Sequence, residues 1–183
     1  MKINNIKSVN ITTKYLSNKE FSYRLLVNIL LEFNYNMDNE EWFYYDISNV
    51  HLGKISKLNE KTVAKKLNFS IYRLKVDGEG SKHLYINNPK KYFSVVNRNS
   101  LMKIRYSDEM LVRFYVLLAG WKYSKMEKVT QSKILEMIGY SPNSTPNKNK
   151  LTKCVNELAR MNLIELQQGN LGKKKYNIYK LKQ

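Results

Sequence analysis

The sequence has little that would indicate an exported, membrane-spanning or disulfide-bonded protein. Its 183 residues include one cysteine, Cys154, so no disulfide can form within the chain, and a reducing compartment is favoured. Residues 1–17 lack the apolar core of a signal peptide. No apolar run reaches the roughly 18 residues that a membrane span needs. We therefore expect a cytoplasmic protein with no membrane partner.

Residues that carry catalytic chemistry are also scarce. His51 and His83 are the only histidines, and two histidines with one cysteine do not predict a dedicated zinc site. The segment 77–81 contains two glycines but lacks the lysine and the helix that follow a phosphate-binding loop. Asp108 and Glu109 fit the negative charge of a helix start better than a catalytic pair. We therefore expect no enzyme, no cofactor and no metal ion.

Basic residues, by contrast, are abundant and unevenly placed. Thirty-two Lys and Arg against fifteen Asp and Glu give a net charge of +17, which indicates a polyanionic partner. The alternative is the soluble surface of a protein from a Lys-rich and Asn-rich proteome. Residues 25–53 contain no Lys or Arg and five acidic residues, whereas residues 121–183 contain thirteen basic and four acidic ones. Phosphates should therefore be drawn to the C-terminal part of the chain.

The last third of the chain has the pattern of three helices followed by a hairpin. Ser107 predicts the start of the first helix, because apolar residues then recur at helical spacing. Thr130 predicts the start of a second helix that ends at Gly139. Thr145 predicts the cap of a third, with Pro146 at its first position. Strand formers at residues 163–167 and 174–181 flank a predicted turn at residues 168–172.

The first half of the chain repeats this order loosely. A helix is predicted from a capping box at Ser17, a strand at residues 42–47, and short helices capped by Ser48 or Asn49 and by Asn59, with Ala64 turned inward. A hairpin follows at residues 73–86. Helix starts and hairpin tips in the two halves are offset by about 90 residues. We predict an N-terminal domain at residues 1–88, a connector at 89–105 and a C-terminal domain at 106–183.

The order of helix, two helices joined by a turn, and basic hairpin resembles the winged helix-turn-helix family. The resemblance is carried by residues 130–139, which read Thr-Gln-Ser-Lys-Ile-Leu-Glu-Met-Ile-Gly, and by residues 151–164. The tandem plan resembles plasmid replication initiators, and residues 92–111 resemble the lead-in of phage replisome organisers. The resemblance implies a helix-rich α+β chain of two tandem winged helix-turn-helix domains. It also implies a sequence-specific double-stranded DNA-binding protein that serves plasmid or phage replication initiation.

In that family the third helix reads the major groove and the hairpin wing contacts the flanking backbone, which gives candidate site residues here. At 100° per residue, the face of the predicted third helix opposite its apolar stripe carries side chains suited to base and phosphate contacts. The candidate DNA-binding residues are Asn149, Thr152, Lys153, Asn156, Arg160, the wing residues Lys173, Lys174, Lys175, and Lys61 and Lys65 in the first half. The alternatives are a solvated helix face and a charged strand edge that discourages aggregation.

Four consecutive aromatic residues, Trp42, Phe43, Tyr44 and Tyr45, stand in the acidic stretch. Because strand side chains alternate between faces, all four cannot pack on one core. We expect one side to contact a protein partner, and a homodimer is the simplest such assembly. Two other functions stay open at this point: a transcriptional regulator with tandem winged helices, and a protein-interaction module that does not bind DNA.

Overall fold

The computed structural model describes residues 7–32, 34–35, 41–45, 48–87, 89, 91–121, 129–171 and 174–182. Within these ranges the chain is α+β, with seven helices and three small antiparallel sheets. No helix in the described part of the chain has both the length and the apolar character needed to cross a bilayer.

Short strands and helices are interspersed along the chain. The first half contains β1 (Ser8–Thr12), α1 (Tyr23–Glu32), β2 (Asn34–Tyr35), β3 (Glu41–Tyr45), α2 (Asn49–Ser56), α3 (Glu60–Lys66), β4 (Tyr72–Val76) and β5 (Lys82–Asn87). The second half contains β6 (Phe93–Asn97), α4 (Arg98–Ile104), α5 (Glu109–Trp121), α6 (Gln131–Met137), α7 (Thr145–Arg160), β7 (Ile164–Leu171) and β8 (Lys174–Leu181).

Three helix caps lie where the sequence predicts them. The side chains of Ser48, Asn59 and Thr130 each accept a hydrogen bond from a backbone N–H in the first turn of α2, α3 and α6. Asn162 follows α7 with a φ of 57°, a left-handed exit conformation that asparagine tolerates better than most residues. Local hydrogen bonding of short polar side chains is thus enough to predict these ends.

Three other helix starts are corrected. Ser144, and not Thr145, caps α7, because Ser144 has the extended backbone and its hydroxyl accepts from the Asn147 N–H. Asp108 caps α5 in place of Ser107, since its carboxylate accepts from the Met110 N–H at 2.9 Å. The helix predicted from the Ser17 capping box begins only at Tyr23.

Two further predictions are wrong in detail. Ala64 on α3 is exposed, although its spacing predicted an inward position. The turn predicted at residues 168–172 is largely strand: β7 continues to Leu171, which pairs with Lys174 in β8. Backbone pairing along eight residues outweighs the low strand propensity of the Gly-Asn pair in β7.

The two halves share one strand order. In the first half, β3 pairs with β5, the second strand of the β4–β5 hairpin, and the sheet order is β2-β3-β5-β4. In the second half, Val129 forms a bridge with Asn177 of β8, the second strand of the β7–β8 hairpin. Each half therefore runs helix, short extended segment, two helices and hairpin, with the extended segment beside the last strand.

Residues 89–105, for which a connector is predicted, contain two regular elements. β6 pairs antiparallel with β1, from Ser8 opposite Asn97 to Thr12 opposite Phe93. α4 follows directly and buries Leu101 and Ile104 completely. The buried residues of both halves form one apolar cluster. These elements position the second half against the first, while the division at residues 88 and 106 stays a prediction.

Candidate nucleic-acid interface

Helix α7 has one face packed into the protein. Leu151, Cys154, Val155 and Leu158 are buried where α7 contacts α5, α6 and β7. Burial raises the pKa of the Cys154 thiol to about 12, so the thiol stays protonated at neutral pH and is a poor nucleophile. The inner face of α7 therefore serves packing and holds the helix in a fixed orientation.

The opposite face of α7 is exposed and polar. All five candidate residues on this helix lie there with exposed side chains: Asn149, Thr152, Lys153, Asn156 and Arg160. At 100° per residue the five positions fall within a sector of about 100°, which keeps them on one stripe of the helix. The structure thus brings together, on one accessible surface, amides that can pair with adenine and cations that can contact guanine or phosphate.

A polar contact on the outer side fixes α6 against α7. The Gln131 side-chain amide donates a 3.0 Å hydrogen bond to the Thr152 hydroxyl, which donates in turn to the Lys148 carbonyl. The Ser132 hydroxyl donates to the Pro142 carbonyl in the connecting turn at 3.1 Å. Thr152 is therefore exposed, but its hydroxyl is fixed by two hydrogen bonds within the protein. Gln131, which makes one of them, is a residue of the candidate site that sequence reasoning missed.

Lys150, which sequence reasoning did not select, points toward α5. Its ammonium lies 2.8 Å from a carboxylate oxygen of Asp108, the residue that caps α5. Both side chains are nearly half exposed, so the pair contributes little to stability, about 0–1 kcal/mol. The pair lies on the side of α7 that faces α5, whereas Lys153 is exposed on the outer face.

The turn between α6 and α7 depends on Gly139. Its φ of 83° is left-handed, and a Cβ there would lie 2.4 Å from the carbonyl oxygen of Ser17. Only glycine allows both the conformation and the close approach. The turn that leads into α7 is therefore packed directly on the segment before α1.

Arg113 links the segment before α1 to the turn between α6 and α7. Its side chain is 2% exposed, and its five N–H groups all have acceptors. Nε donates to Glu109 Oε1 at 2.9 Å, Nη1 donates to the carbonyls of Leu16 and Ile138, and Nη2 donates to those of Asn18 and Phe21. One guanidinium thus binds both the segment 16–21 and Ile138, the residue before Gly139. Sequence reasoning passed over Arg113 because it lies within an apolar run.

Glu109 completes the connection between the halves. Its carboxylate accepts from the backbone N–H of Tyr23 at 2.7 Å and of Arg24 at 3.0 Å, and from the Ser22 hydroxyl. These groups are the first donors of α1, so a carboxylate on α5 caps a helix of the other half. The i,i+4 pair of Glu109 with Arg113 balances the buried charge.

The other predicted site residues lie on different elements. Lys61 and Lys65 are exposed on α3, which has seven residues against sixteen in α7. Lys174 and Lys175 begin β8, where they pair with Leu171 and Asn170. Lys173 lies outside the described residues. The segment 42–45 forms most of β3, between β2 and β5.

The histidines and acidic residues of the described ranges do not assemble into a metal site. No group of three His, Cys, Asp or Glu side chains in these ranges could hold a metal ion. His83 Nε2 instead lies 2.7 Å from Asp77 Oδ2, and the Asp77 carboxylate also accepts from the N–H groups of Glu79 and Ser81. Hydrogen bonding by His83 holds the pKa of Asp77 below its ordinary value. This pair ties together the β4–β5 hairpin.

Comparison of the chain with protein-family models, curated proteins and solved structures gives no match.

Proposed function

We propose that the protein is a sequence-specific double-stranded DNA-binding protein built from two tandem winged helix-turn-helix units. The observation that carries the proposal is the exposed polar face of α7, held in place by a buried apolar face and by the contacts of Gln131 and Arg113. A helix of sixteen residues spans about 24 Å and fits a major groove about 12 Å wide. The proposed reading surface is Asn149, Thr152, Lys153, Asn156 and Arg160.

The strand order supports the assignment of the fold. In a winged helix-turn-helix, two helices joined by a turn precede a hairpin, and a short strand pairs with the last hairpin strand. Val129 and β8 supply this pairing in the second half, and β3 and β5 supply it in the first. We assign α7 as the reading helix because it is the longer one and lies in the basic part of the chain.

Electrostatics supports the choice of partner. The segment 121–183 has thirteen basic and four acidic residues, and Lys174 and Lys175 begin β8, opposite the last residues of β7. Lysines at this place would hold phosphates beside the groove that α7 occupies, giving affinity without base recognition. Base recognition would then come from α7, and affinity for phosphate would come from the hairpin.

Selection from random-sequence duplexes, followed by footprinting in the replicon that encodes the chain, tests this proposal. We expect one preferred sequence, present as tandem repeats beside an AT-rich region, because we propose that the chain initiates or organises plasmid or phage replication. A single operator that overlaps a promoter would instead support the transcriptional regulator. Enrichment of no duplex would contradict the DNA-binding proposal and favour the protein-interaction module.

We further propose that the chain acts as a homodimer through the aromatic segment 42–45 in β3. Residues 25–53 have no Lys or Arg and five acidic residues, and are the part of the chain least suited to DNA. Light scattering should therefore give twice the chain mass of 21.7 kDa for the free protein, and the same protein mass plus that of the duplex for the complex. A monomer in both states would contradict the dimer without affecting the DNA-binding proposal.

A further inference from the structure

A second basic surface lies close to the turn that precedes α7. The segment 14–20, which we call the bridging segment, runs between β1 and α1 and contacts both halves of the protein. Of its residues, Lys14, Ser17, Asn18, Lys19 and Glu20 are exposed. The segment is nevertheless fixed, because Arg113 binds the carbonyls of Leu16 and Asn18.

One end of the bridging segment contacts α3. The ammonium of Lys66, the last residue of α3, donates to the Glu20 carbonyl at 2.6 Å and lies 3.8 Å from a Glu20 carboxylate oxygen. Tyr15 stacks on Phe21, and its hydroxyl is 2.8 Å from that of Ser70, just beyond α3. The C-terminal end of α3 is thus bound to the segment.

The middle of the bridging segment contacts the α6–α7 turn. The Ser17 carbonyl packs on Gly139, and Arg113 joins Leu16 to Ile138. Three Cα steps separate Ser17 from Glu20, so these residues lie at most about 11 Å apart. The Lys66 ammonium, which contacts Glu20, and Gly139, which packs on Ser17, therefore both touch a stretch of the bridging segment no longer than about 11 Å.

Cations predominate on this surface. Lys14 and Lys19 on the segment and Lys61 and Lys65 on α3 are all exposed. The opposing acids are Glu60 and Glu20, and the Glu20 carboxylate is the partner of Lys66. On the bridging segment and α3, four exposed lysines thus face two exposed glutamates, which favours an anionic partner.

We propose that the bridging segment contacts the DNA backbone through Lys14 and Lys19, and that α3 extends this contact. The inference rests on the proposed function and adds to it a phosphate-binding surface outside α7 and its hairpin. One chain would then make a continuous contact across both halves. The fixed backbone at Leu16 and Asn18 favours such a contact, since little ordering entropy is lost on binding.

Single substitutions of Lys14 and Lys19 by alanine test the proposal, with Lys7→Ala as the matched control. Lys7 is also exposed but precedes β1, whereas Lys14 follows it, so the two lie at opposite ends of a five-residue strand. Each of Lys14→Ala and Lys19→Ala should weaken duplex binding about three- to tenfold. Each should also reduce the slope of log K against log salt by about 0.9. Lys7→Ala should change neither quantity.

A tethered cleavage probe tests whether the bridging segment lies beside the DNA, and it does so without removing a charge. An iron chelate can be attached after Asn18→Cys or, in the turn before α7, after Asn143→Cys, because both asparagines are exposed and the native Cys154 is buried. Cuts from the two positions should fall within one helical turn, about 10 base pairs. Wild-type binding with unchanged affinity of both lysine variants, or with no cuts from position 18, would overturn the inference alone. Failure of the wild-type chain to bind any duplex would overturn the proposed function as well.

Discussion

Replacing Arg113 with methionine is expected to destabilise the protein by about 3–5 kcal/mol, the cost of breaking a buried charged network by removing one partner. The substitution would leave four carbonyls and the Glu109 carboxylate without their donor. Methionine preserves much of the side-chain length. The loss of stability should therefore come mainly from the missing hydrogen bonds and less from a cavity. Urea unfolding measures the change in free energy of unfolding.

The matched control is Lys133→Met, which also removes a cation from an ion pair on a helix. Lys133 lies 2.8 Å from Glu136, but both side chains are more than half exposed. This variant should cost less than about 1 kcal/mol, because water replaces the lost contact. An Arg113→Met protein as stable as the Lys133→Met protein would show that the Arg113 network does not stabilise the fold.

Replacing both Asn149 and Asn156 with alanine is expected to abolish the preference for the selected site over random duplex. Each bidentate amide–adenine contact discriminates by about 1–3 kcal/mol, so two would together change the specificity ratio by roughly 30- to 10,000-fold. Both side chains are exposed on α7, and alanine is a better helix former than asparagine. The helix should therefore remain folded. Competition binding with specific and random duplexes measures the ratio.

Two control variants distinguish base recognition from sequence-independent affinity for DNA. Asn99→Ala changes an exposed asparagine on α4, outside the proposed surface, and should leave specificity unchanged. Lys174→Ala, at the start of β8, should weaken binding to all sequences alike, since a phosphate contact carries no base information. If the double asparagine variant kept the wild-type site and affinity, α7 would not be the reading helix.

Features governed by neighbouring residues were predictable from the sequence. Thr130 and Asn59 cap helices because their side chains bond to donors two or three residues away. The polar and apolar faces of α7 follow from its spacing, and its candidate residues are exposed as expected.

Features governed by distant contacts were not predictable. Glu109 forms the i,i+4 pair with Arg113 that a helix pattern suggests, yet it also caps α1 more than 80 residues earlier in the chain. The sequence signal was a lone arginine in the apolar run of α5, four residues after a glutamate. The turn predicted at residues 168–172 was wrong for a related reason. Pairing with β8 extends β7 through Gly169 and Asn170, which local strand propensity does not predict.

A salt titration of duplex binding tests the central proposal most directly. If α7, the hairpin lysines and the bridging segment neutralise roughly 6–10 phosphates, affinity should fall by about 10³–10⁵ between 50 and 200 mM salt. The titration uses the full chain with its selected duplex and with a random duplex of equal length. A steep, linear decrease of log K with log salt for both duplexes, with tighter binding to the selected one, is the predicted result. Binding that salt leaves unchanged, or no binding to either duplex, would contradict the account.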